Sequence, residues 1–272
     1  LALLASSSIA NAAVNVTADI SADTTWSLAN SPYVLKDYIF VVSPATLTIE
    51  AGVTVQADQG SANAAPALIV TQGAKITAIG TAAKPIVFTS VLDNPLGTLT
   101  KDDKGKWGGL IILGNAPINS NGGSNANTDP MTNAIEGVPT TSGISNRSIP
   151  ASYAQYGGNV AADNSGTLKY VSIRHGGAEI GSGNEINGLT MGGVGSGTTI
   201  EYIDVFANKD DGIEFFGGTV NAKYLSVAYV GDDSFDFDEG YTGWLQFLFT
   251  VADKNSNRGV EWDGSTESDD IG

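Results

Sequence analysis

The chain of 272 residues contains no cysteine, a single histidine and only 13 basic residues. Without cysteine, disulfide bonds and lipid attachment through an N-terminal cysteine are excluded. The 29 acidic residues give a net charge of −16. Nucleic acid is therefore not an expected partner, because neutralising phosphates requires clustered Lys and Arg. Only 15% of the residues are charged, and beyond the first residues no apolar run is long enough to predict a transmembrane segment.

The first residues resemble the end of a secretory signal peptide. An apolar stretch leads from Leu1 into Ala10-Asn11-Ala12, the small-x-small pattern after which signal peptidase cuts. We therefore predict that residues 1–12 are a signal-peptide remnant and that residues 13–272 form one exported domain, extracellular, on the cell surface or periplasmic. A short apolar strand is the alternative interpretation. We also expect the natural chain to extend beyond both ends of this sequence.

An acidic phrase recurs three times in the C-terminal third of the chain, at Asp210–Phe215, Asp232–Phe237 and Asn257–Trp262. Its central carboxylate recurs at Glu214, Asp236 and Glu261. Glycine is abundant, with 34 residues, and apolar and polar residues alternate inside each unit. A period near 22 with strand-like alternation predicts a solenoid of β coils. The chain is accordingly interpreted as one long all-β domain.

A second phrase keeps the same spacing and places one aromatic residue before an apolar position in each coil. If the coils stack in register, two interior ladders form, one of Val171, Ile203, Leu225 and Leu248, and one of Ile173, Val205 and Val227. The aromatic residues have the opposite parity to these ladders. Their exposed column is a predicted polysaccharide-binding surface, because aromatic rings stack on sugars; its members are Tyr170, Tyr202, Tyr224 and Phe247. Alternatively, the column packs beneath another part of the chain.

Earlier coils are less regular. The segment 47–55 reads as two short strands about a glycine corner, and the segment 68–76 is interpreted as the next repeat of the same design, with Ile49 matching Val70. The segment 115–165 then breaks the rhythm, since it is rich in Asn, Gly, Ser and Thr and contains four prolines. We predict a long loop insertion here, which forms either a wall of a binding surface or a cover over the flank of the solenoid.

Alternation in the acidic phrases places the apolar residues inside the coil and the carboxylates outside. Neighbouring strands are about 4.8 Å apart, and two unit charges at that distance repel by about 0.9 kcal/mol in water. A bound Ca²⁺ would neutralise the column, since it accepts six to eight oxygen ligands in irregular geometry. The predicted ligands are Asp211, Glu214, Asp232, Asp233, Asp236, Asp238, Glu261 and Asp263. The alternative is a solvated acidic face without metal.

The coil pattern resembles the right-handed parallel β-helix family that includes pectate lyases and polygalacturonases. Four runs are more closely similar to a group of exported bacterial β-helix proteins that are often found at cell surfaces. These runs are Gly105–Gly109 (GKWGG), Ser165–Val171 (SGTLKYV), Glu185–Ile200 (EINGLTMGGVGSGTTI) and Gly231–Phe235 (GDDSF). The resemblance covers nearly all of the chain after Ala13. It implies an all-β, right-handed parallel β-helix with the coil period near 22 given above, and it specifies no activity.

Part of a polygalacturonase motif is also present. Inverting polygalacturonases carry Asn-Thr-Asp-Gly, then Gly-Asp-Asp about one coil later, then Gly-His-Gly. Residues 208–212 (NKDDG) and 231–234 (GDDS) are similar to the first two phrases, but Arg258 stands where the histidine belongs. The resemblance makes four carboxylates candidate general acids and bases: Asp210, Asp211, Asp232 and Asp233. The single histidine, His175, is predicted to lie in a surface turn.

Together these features predict a secreted or cell-surface, non-enzymatic β-helix protein. It would bind Ca²⁺ and hold polysaccharide or another envelope component. The alternative is a calcium-dependent polysaccharide-cleaving enzyme of polygalacturonase or lyase type that uses the coil-edge aspartates. Open coil ends also predict end-to-end self-association, because unpaired strand edges recruit other strands.

Overall fold

A computed structural model describes residues 12–60, 64–94, 96–120, 131–178 and 186–262. In these ranges the chain forms nineteen strands, no α-helix and two short 3-10 turns, Leu28–Asn30 and Ala151–Tyr153. The strands are β1 (Val14–Val16), β2 (Thr24–Trp26), β3 (Tyr33–Leu35), β4 (Ile39–Val41), β5 (Thr46–Ile49), β6 (Thr54–Ala57), β7 (Leu68–Val70), β8 (Lys75–Ile79), β9 (Ile86–Ser90), β10 (Leu110–Leu113), β11 (Asn133–Ala134), β12 (Gln155–Tyr156), β13 (Gly166–Arg174), β14 (Leu189–Gly192), β15 (Thr199–Phe206), β16 (Ile213–Phe216), β17 (Asn221–Ala228), β18 (Phe235–Asp238) and β19 (Leu245–Val251).

The strands stack in parallel into a right-handed β-helix with three faces. One of them, called the third face here, is a six-stranded sheet in the order β18-β16-β14-β10-β7-β4. An eleven-stranded sheet supplies the other two faces, because its later strands bend: β13 pairs with β8 along its first half and with β9 along its second half. The first face thus holds β2, β5, β8 and the first halves of β13, β15, β17 and β19. The second face holds β1, β3, β6, β9 and the second halves of β13, β15, β17 and β19.

Register between the coils confirms the two predicted interior ladders. Val171 pairs with Ile203, Ile203 with Leu225, and Leu225 with Leu248. The second ladder runs from Ile173 through Val205 to Val227 in the same way. All of these side chains except Leu248 are buried in one continuous core that fills the centre of the solenoid. Burial of such apolar area, at about 25 cal/mol per Å², is the main force that holds stacked coils together.

The predicted match between Ile49 and Val70 is wrong. In the structure Ile49 pairs with Ala78, while Val70 pairs with Val41. Ile49 belongs to β5 and Val70 to β7, which lie on different faces, so one full coil in this region runs from Ile49 to Ala78. The segments 47–55 and 68–76 look alike in sequence, because each has an alternating apolar strand that ends in a turn with a glycine. These two strands nevertheless lie on different faces.

The first corner of the later coils has an unusual backbone. Tyr170, Tyr202, Tyr224 and Phe247 all adopt a left-handed conformation, with φ between 52° and 61°. This conformation costs a side-chain-bearing residue roughly 1–2 kcal/mol. At the same corner an earlier coil uses Gly52, with φ of 85°, and glycine carries no such cost. One left-handed residue therefore bends each later strand from the first face to the second.

The insertion packs on the outside of the third face. Outward side chains of β4, β7 and β10 are apolar there and include Phe40, Ile69 and Ile111. Together with apolar residues of the insertion they form a second buried cluster, to which the insertion contributes Ile118, Ile135, Ile149, Ala154 and Tyr156. For the part of residues 115–165 that is described, the structure thus supports a cover over the flank of the solenoid rather than a wall of a binding surface.

Arg147 ties the insertion to the early coils. Its guanidinium lies 3.0 Å from an oxygen of Asp19 and 3.4 Å from one of Asp37. Asp37 is buried and also accepts hydrogen bonds from Ser142 and Ser145. These bonds lower the pKa of Asp37 although burial alone would raise it. One buried carboxylate thus holds three residues of the insertion.

Nearly all of the predicted signal-peptide remnant lies outside the described residues, so it stays a prediction. In the ranges that are described, no helix has the length and apolar character needed to cross a bilayer. Among those same ranges β19 has one neighbouring strand, β17. End-to-end association through such an edge also stays a prediction.

Candidate metal site and aromatic column

The acidic phrases lie at one edge of the third face. Glu214 in β16 and Asp236 in β18 are a register pair, and Asp211 and Asp233 occupy the turns that precede these strands. The column continues to Glu261, whose amide donates a 2.9 Å hydrogen bond to the carbonyl of Phe235. Stacking of equivalent positions has therefore brought the repeated carboxylates together, as the period predicted.

Several of these carboxylates are buried, although alternation placed them on the outside of the coil, as Ca²⁺ ligands or, in the alternative, as a solvated face. Glu214 is 5% exposed, Asp211 8% and Asp233 1%. Glu214 does point away from the coil interior, since its neighbours Ile213 and Phe215 fill the core. Outward side chains of this face, however, lie under the insertion. Alternation gives the direction of a side chain but does not show what covers it.

Three carboxylates converge on one point. One oxygen each from Asp211, Glu214 and Asp236 lies within 4.8 Å of the other two. The amide nitrogen of Asn187, a residue that is 1% exposed, donates a hydrogen bond to Glu214. Asn187 Oδ1 is buried and has no partner among the described residues. The cluster therefore contains oxygen ligands from three successive coils.

A second group overlaps the first on its open side. Oxygens of Asp210, Asp211 and Asp232 also lie within 4.8 Å of one another. Asp232 is exposed and Asp210 is half-buried. Asp211 thus belongs to both groups. Asp211, Glu214 and Asp236 are called the covered group below, and Asp210, Asp211 and Asp232 the open group.

Burial and mutual repulsion disfavour ionisation in the covered group. Burial, together with the charge of Asp210, raises the pKa of Asp211 to about 9. Burial also raises the pKa of Glu214 far above its usual range, and the charge of Asp211 adds to this effect. Such groups require either a proton or a cation.

Asp233 and Glu261 have a different environment. Asp233 accepts a 2.5 Å hydrogen bond from the amide of Arg258, and the Arg258 guanidinium lies 3.7 Å from its other oxygen. Glu261 also forms an ion pair with Arg258. Burial and the adjacent Glu261 raise the pKa of Asp233 to about 7, whereas the hydrogen bond from Asp233 lowers that of Glu261. These two predicted ligands therefore share a hydrogen bond, and the positive charge of Arg258 lies beside both.

The other predicted ligands do not complete the covered group. Asp238 follows Asp236 in β18 and is half-buried, but it is not one of the three convergent carboxylates. Asp232 belongs to the open group. Asp263 lies outside the described residues, so its role stays a prediction.

We predict that the metal-free protein loses stability as the pH rises from 5 to 9. Asp211 and Asp233 have raised pKa values in the folded state, whereas an unfolded Asp titrates near 3.9. Between these values the folded state binds more protons than the unfolded state, so stability falls with rising pH. The urea midpoint in chelator at pH 5, 7 and 9 measures this effect. Asp211→Asn should make the urea midpoint less dependent on pH. A midpoint that does not change with pH in either protein would contradict the prediction.

The predicted aromatic column exists, and its rings are stacked on one another. Successive centroids in the series Tyr170, Tyr202, Tyr224 and Phe247 are 4.3, 4.4 and 4.9 Å apart, with interplanar angles of 11° to 16°. The faces of the inner rings are therefore already covered, and the column presents mainly ring edges to a ligand. The column lies at the corner of the first and second faces, away from the insertion. Its sugar-binding role stays a prediction.

A family model described as the pectate-lyase like beta helix domain matches residues 18–271. The chain belongs to this family. No curated protein and no solved structure matches the chain. The membership explains the parallel coils and the single interior core, but it does not assign a ligand or a reaction.

In this pectate-lyase-like β-helix the single histidine is not at the surface, so the predicted surface turn for His175 is wrong. His175 is 1% exposed. Its Nδ1 lies 2.7 Å from the carbonyl oxygen of Asp103, and its ring packs edge-on against Phe206. Burial lowers the pKa of the imidazole. His175 occupies a coil corner, with φ of 60°, where the polar excursion before β10 covers it.

Sequence reasoning also missed two residues of this β-helix that the structure makes candidates for binding. Asn187 precedes β14 and lacks a carboxylate, so the acidic period did not include it. Trp244 precedes β19 and is 82% exposed. Trp244 does not share the spacing of the aromatic column. The only signal in the sequence is that it directly follows the glycine-containing segment Gly240 to Gly243.

Proposed function

We propose that this pectate-lyase-like β-helix is an exported, non-enzymatic surface protein that binds Ca²⁺ and holds polysaccharide or another envelope component. The observation that carries the proposal is the covered group of Asp211, Glu214 and Asp236. Three carboxylates at this separation repel one another, and two of them are buried. A bound divalent cation would attract all three carboxylates and so offset their mutual repulsion.

The ligand atoms favour a hard cation such as Ca²⁺ over zinc. Two oxygens that share a Ca²⁺ ion at 2.3–2.6 Å are at most about 5 Å apart, so three oxygens that lie within 4.8 Å of one another are close enough to share one ion. No His or Cys belongs to the group, so a zinc site is not supported. Asn187 Oδ1, buried and unpartnered, supplies a further oxygen once its amide rotates, since the two amide orientations are nearly equivalent in shape.

Two aspartates of the polygalacturonase-like phrases each use one carboxylate oxygen in a structural hydrogen bond. Asp211 accepts a 2.8 Å hydrogen bond from the amide of Asp233, and Asp233 accepts one from the amide of Arg258. Each carboxylate therefore links its coil to the next. This arrangement supports the non-enzymatic proposal, because a general acid or base must present its oxygens to a substrate.

A polysaccharide-cleaving enzyme is the second candidate, and the open group of Asp210, Asp211 and Asp232 is the observation that favours it. Such an enzyme would release new reducing ends from a polysaccharide in the presence of Ca²⁺. Loss of that activity in Asp232→Asn would establish the enzyme and overturn the non-enzymatic proposal.

Calcium is expected to raise the melting temperature of the protein by about 5–10 °C at 100 times its dissociation constant. That concentration stabilises the folded state by about 2.7 kcal/mol, and each kcal/mol shifts the melting temperature by roughly 2–4 °C in a chain of this size. Differential scanning calorimetry at pH 7 in chelator and in Ca²⁺ measures the shift.

Glu214→Gln should abolish most of the calcium shift, because the amide keeps the shape of the side chain but loses its charge. Asp102→Asn is the matched control, since the side chain of Asp102 is 70% exposed and lies outside both groups. A shift of equal size in all three proteins would place the ion elsewhere. No shift in the wild-type protein would leave the acidic column without metal.

A further inference from the structure

A groove runs across the outer surface of the first face, beside the aromatic column. It has a volume of about 320 Å³, within the range of roughly 300–1,000 Å³ that ligand sites occupy. Outward residues at the first halves of β15, β17 and β19 form its floor, and Trp244 stands at its edge. The indole is 82% exposed, which leaves a large apolar surface in water.

Polar residues of the floor are held in fixed positions. Three floor residues, Glu201, Lys223 and Gln246, occupy one row in register across three coils, and Lys169 beside the groove continues the row in the preceding coil. The Glu201 carboxylate lies 3.0 Å from the Lys169 ammonium and 3.2 Å from that of Lys223. Both lysines also lie over rings of the aromatic column, at 5.7–6.0 Å from the centroids. The row is therefore organised before any ligand arrives, which reduces the entropic cost of binding.

The turn that carries Trp244 is held by a hydrogen bond. The backbone amide of Trp244 donates a 2.9 Å hydrogen bond to Asn221 Oδ1, which fixes the turn before β19. An exposed indole on a hydrogen-bonded turn, next to amide, hydroxyl and carboxylate groups, matches a pyranose ring, which presents C–H groups on its face and hydroxyls at its rim.

We propose that this groove binds a neutral, hydroxyl-rich glycan, with one sugar ring on Trp244 and its hydroxyls on Glu201, Lys223 and Gln246. The inference rests on the proposed polysaccharide-binding function and names the site and the ligand class. Neutral sugars are favoured because the two lysines of the row are already paired with Glu201. An anionic glycan would therefore meet only paired lysines on this floor and would approach a chain of net charge −16.

The test compares wild-type protein with Trp244→Ala on a panel of neutral glucans, mannans and galactans and on acidic galacturonan and alginate. Affinity electrophoresis in gels that contain each polysaccharide measures retention. We expect the variant to bind the neutral glycan at least tenfold more weakly, as when an aromatic anchor of an interface is removed. Gln246→Ala should weaken binding by a smaller factor.

Trp262→Ala is the matched control, because Trp262 is also exposed, at 65%, but lies outside the groove. It should bind like the wild-type protein, and circular dichroism checks the fold of all variants. Retention by acidic polysaccharides alone would overturn the neutral-ligand inference and leave the proposed function standing. Retention on neutral glycan that Trp244→Ala does not weaken would overturn the location. No retention on any polysaccharide would overturn the glycan inference, whereas the calcium measurements above decide the rest of the proposed function.

Discussion

Gly231→Ala is expected to destabilise the protein by about 3 kcal/mol or more, since overpacking a tight core typically costs 1–3 kcal/mol even where side chains can move. A Cβ at this position would lie 1.7 Å from the carbonyl oxygen and 2.7 Å from the carbonyl carbon of Lys209, in the coil below. Coils are held at about 4.8 Å by their hydrogen bonds, so neither backbone can withdraw without breaking the stack. The urea midpoint and the melting temperature measure the loss.

Gly259→Ala provides the control for this substitution. Its added Cβ would meet only the Thr250 methyl group, at 3.5 Å, an ordinary contact. We expect a change within about 1 kcal/mol of wild type, because one methyl group in open surroundings alters little. Equal destabilisation by the two substitutions would mean that coil spacing is not the limiting factor at Gly231.

Asp37→Ala is expected to cost about 2–4 kcal/mol, since each hydrogen-bonding group left without its buried partner costs about 1–3 kcal/mol. The substitution would deprive Arg147 of a partner and leave the hydroxyls of Ser142 and Ser145 without their acceptor. Because these three residues belong to the insertion, the loss should loosen its contact with the third face. Limited proteolysis should then cleave between positions 140 and 150, where the wild-type protein resists.

Asp58→Ala tests whether any lost ion pair has this effect. Asp58 lies 2.7 Å from Lys36, but its side chain is 41% exposed. Exposed pairs contribute up to about 1 kcal/mol, so the insertion should remain protected in this variant. Protection of the insertion in Asp37→Ala as well would show that its apolar contacts alone hold it in place.

The later coils could be predicted from the sequence because each repeats one pattern. The step from Val171 to Ile203, Leu225 and Leu248 was visible as apolar alternation, and the register follows it. The early coils could not be aligned in this way. Their corners are turns of several residues instead of a single left-handed aromatic residue, so strands such as β5 and β7 look alike although they lie on different faces.

The candidate sites were predictable only in part. Alternation and period placed Glu214 and Asp236 side by side, as the structure does. Burial of Glu214 was not predictable, because it depends on an insertion whose apolar residues show no period. The stacking of Tyr202 between two other tyrosines follows from its left-handed corner, a backbone state that the residue type does not suggest. Trp244 belongs to no repeat at all.

The position of the insertion along the chain has a consequence for synthesis. Phe40, Ile69 and Ile111 point outward from the third face, and the residues that cover them come later in the sequence. As the chain is made from its N-terminus, the first coils can stack while this apolar stripe still faces water. Such transient exposure favours aggregation. A folding helper, or rapid arrival of the insertion, would matter most during the interval between completion of β10 and emergence of Tyr156.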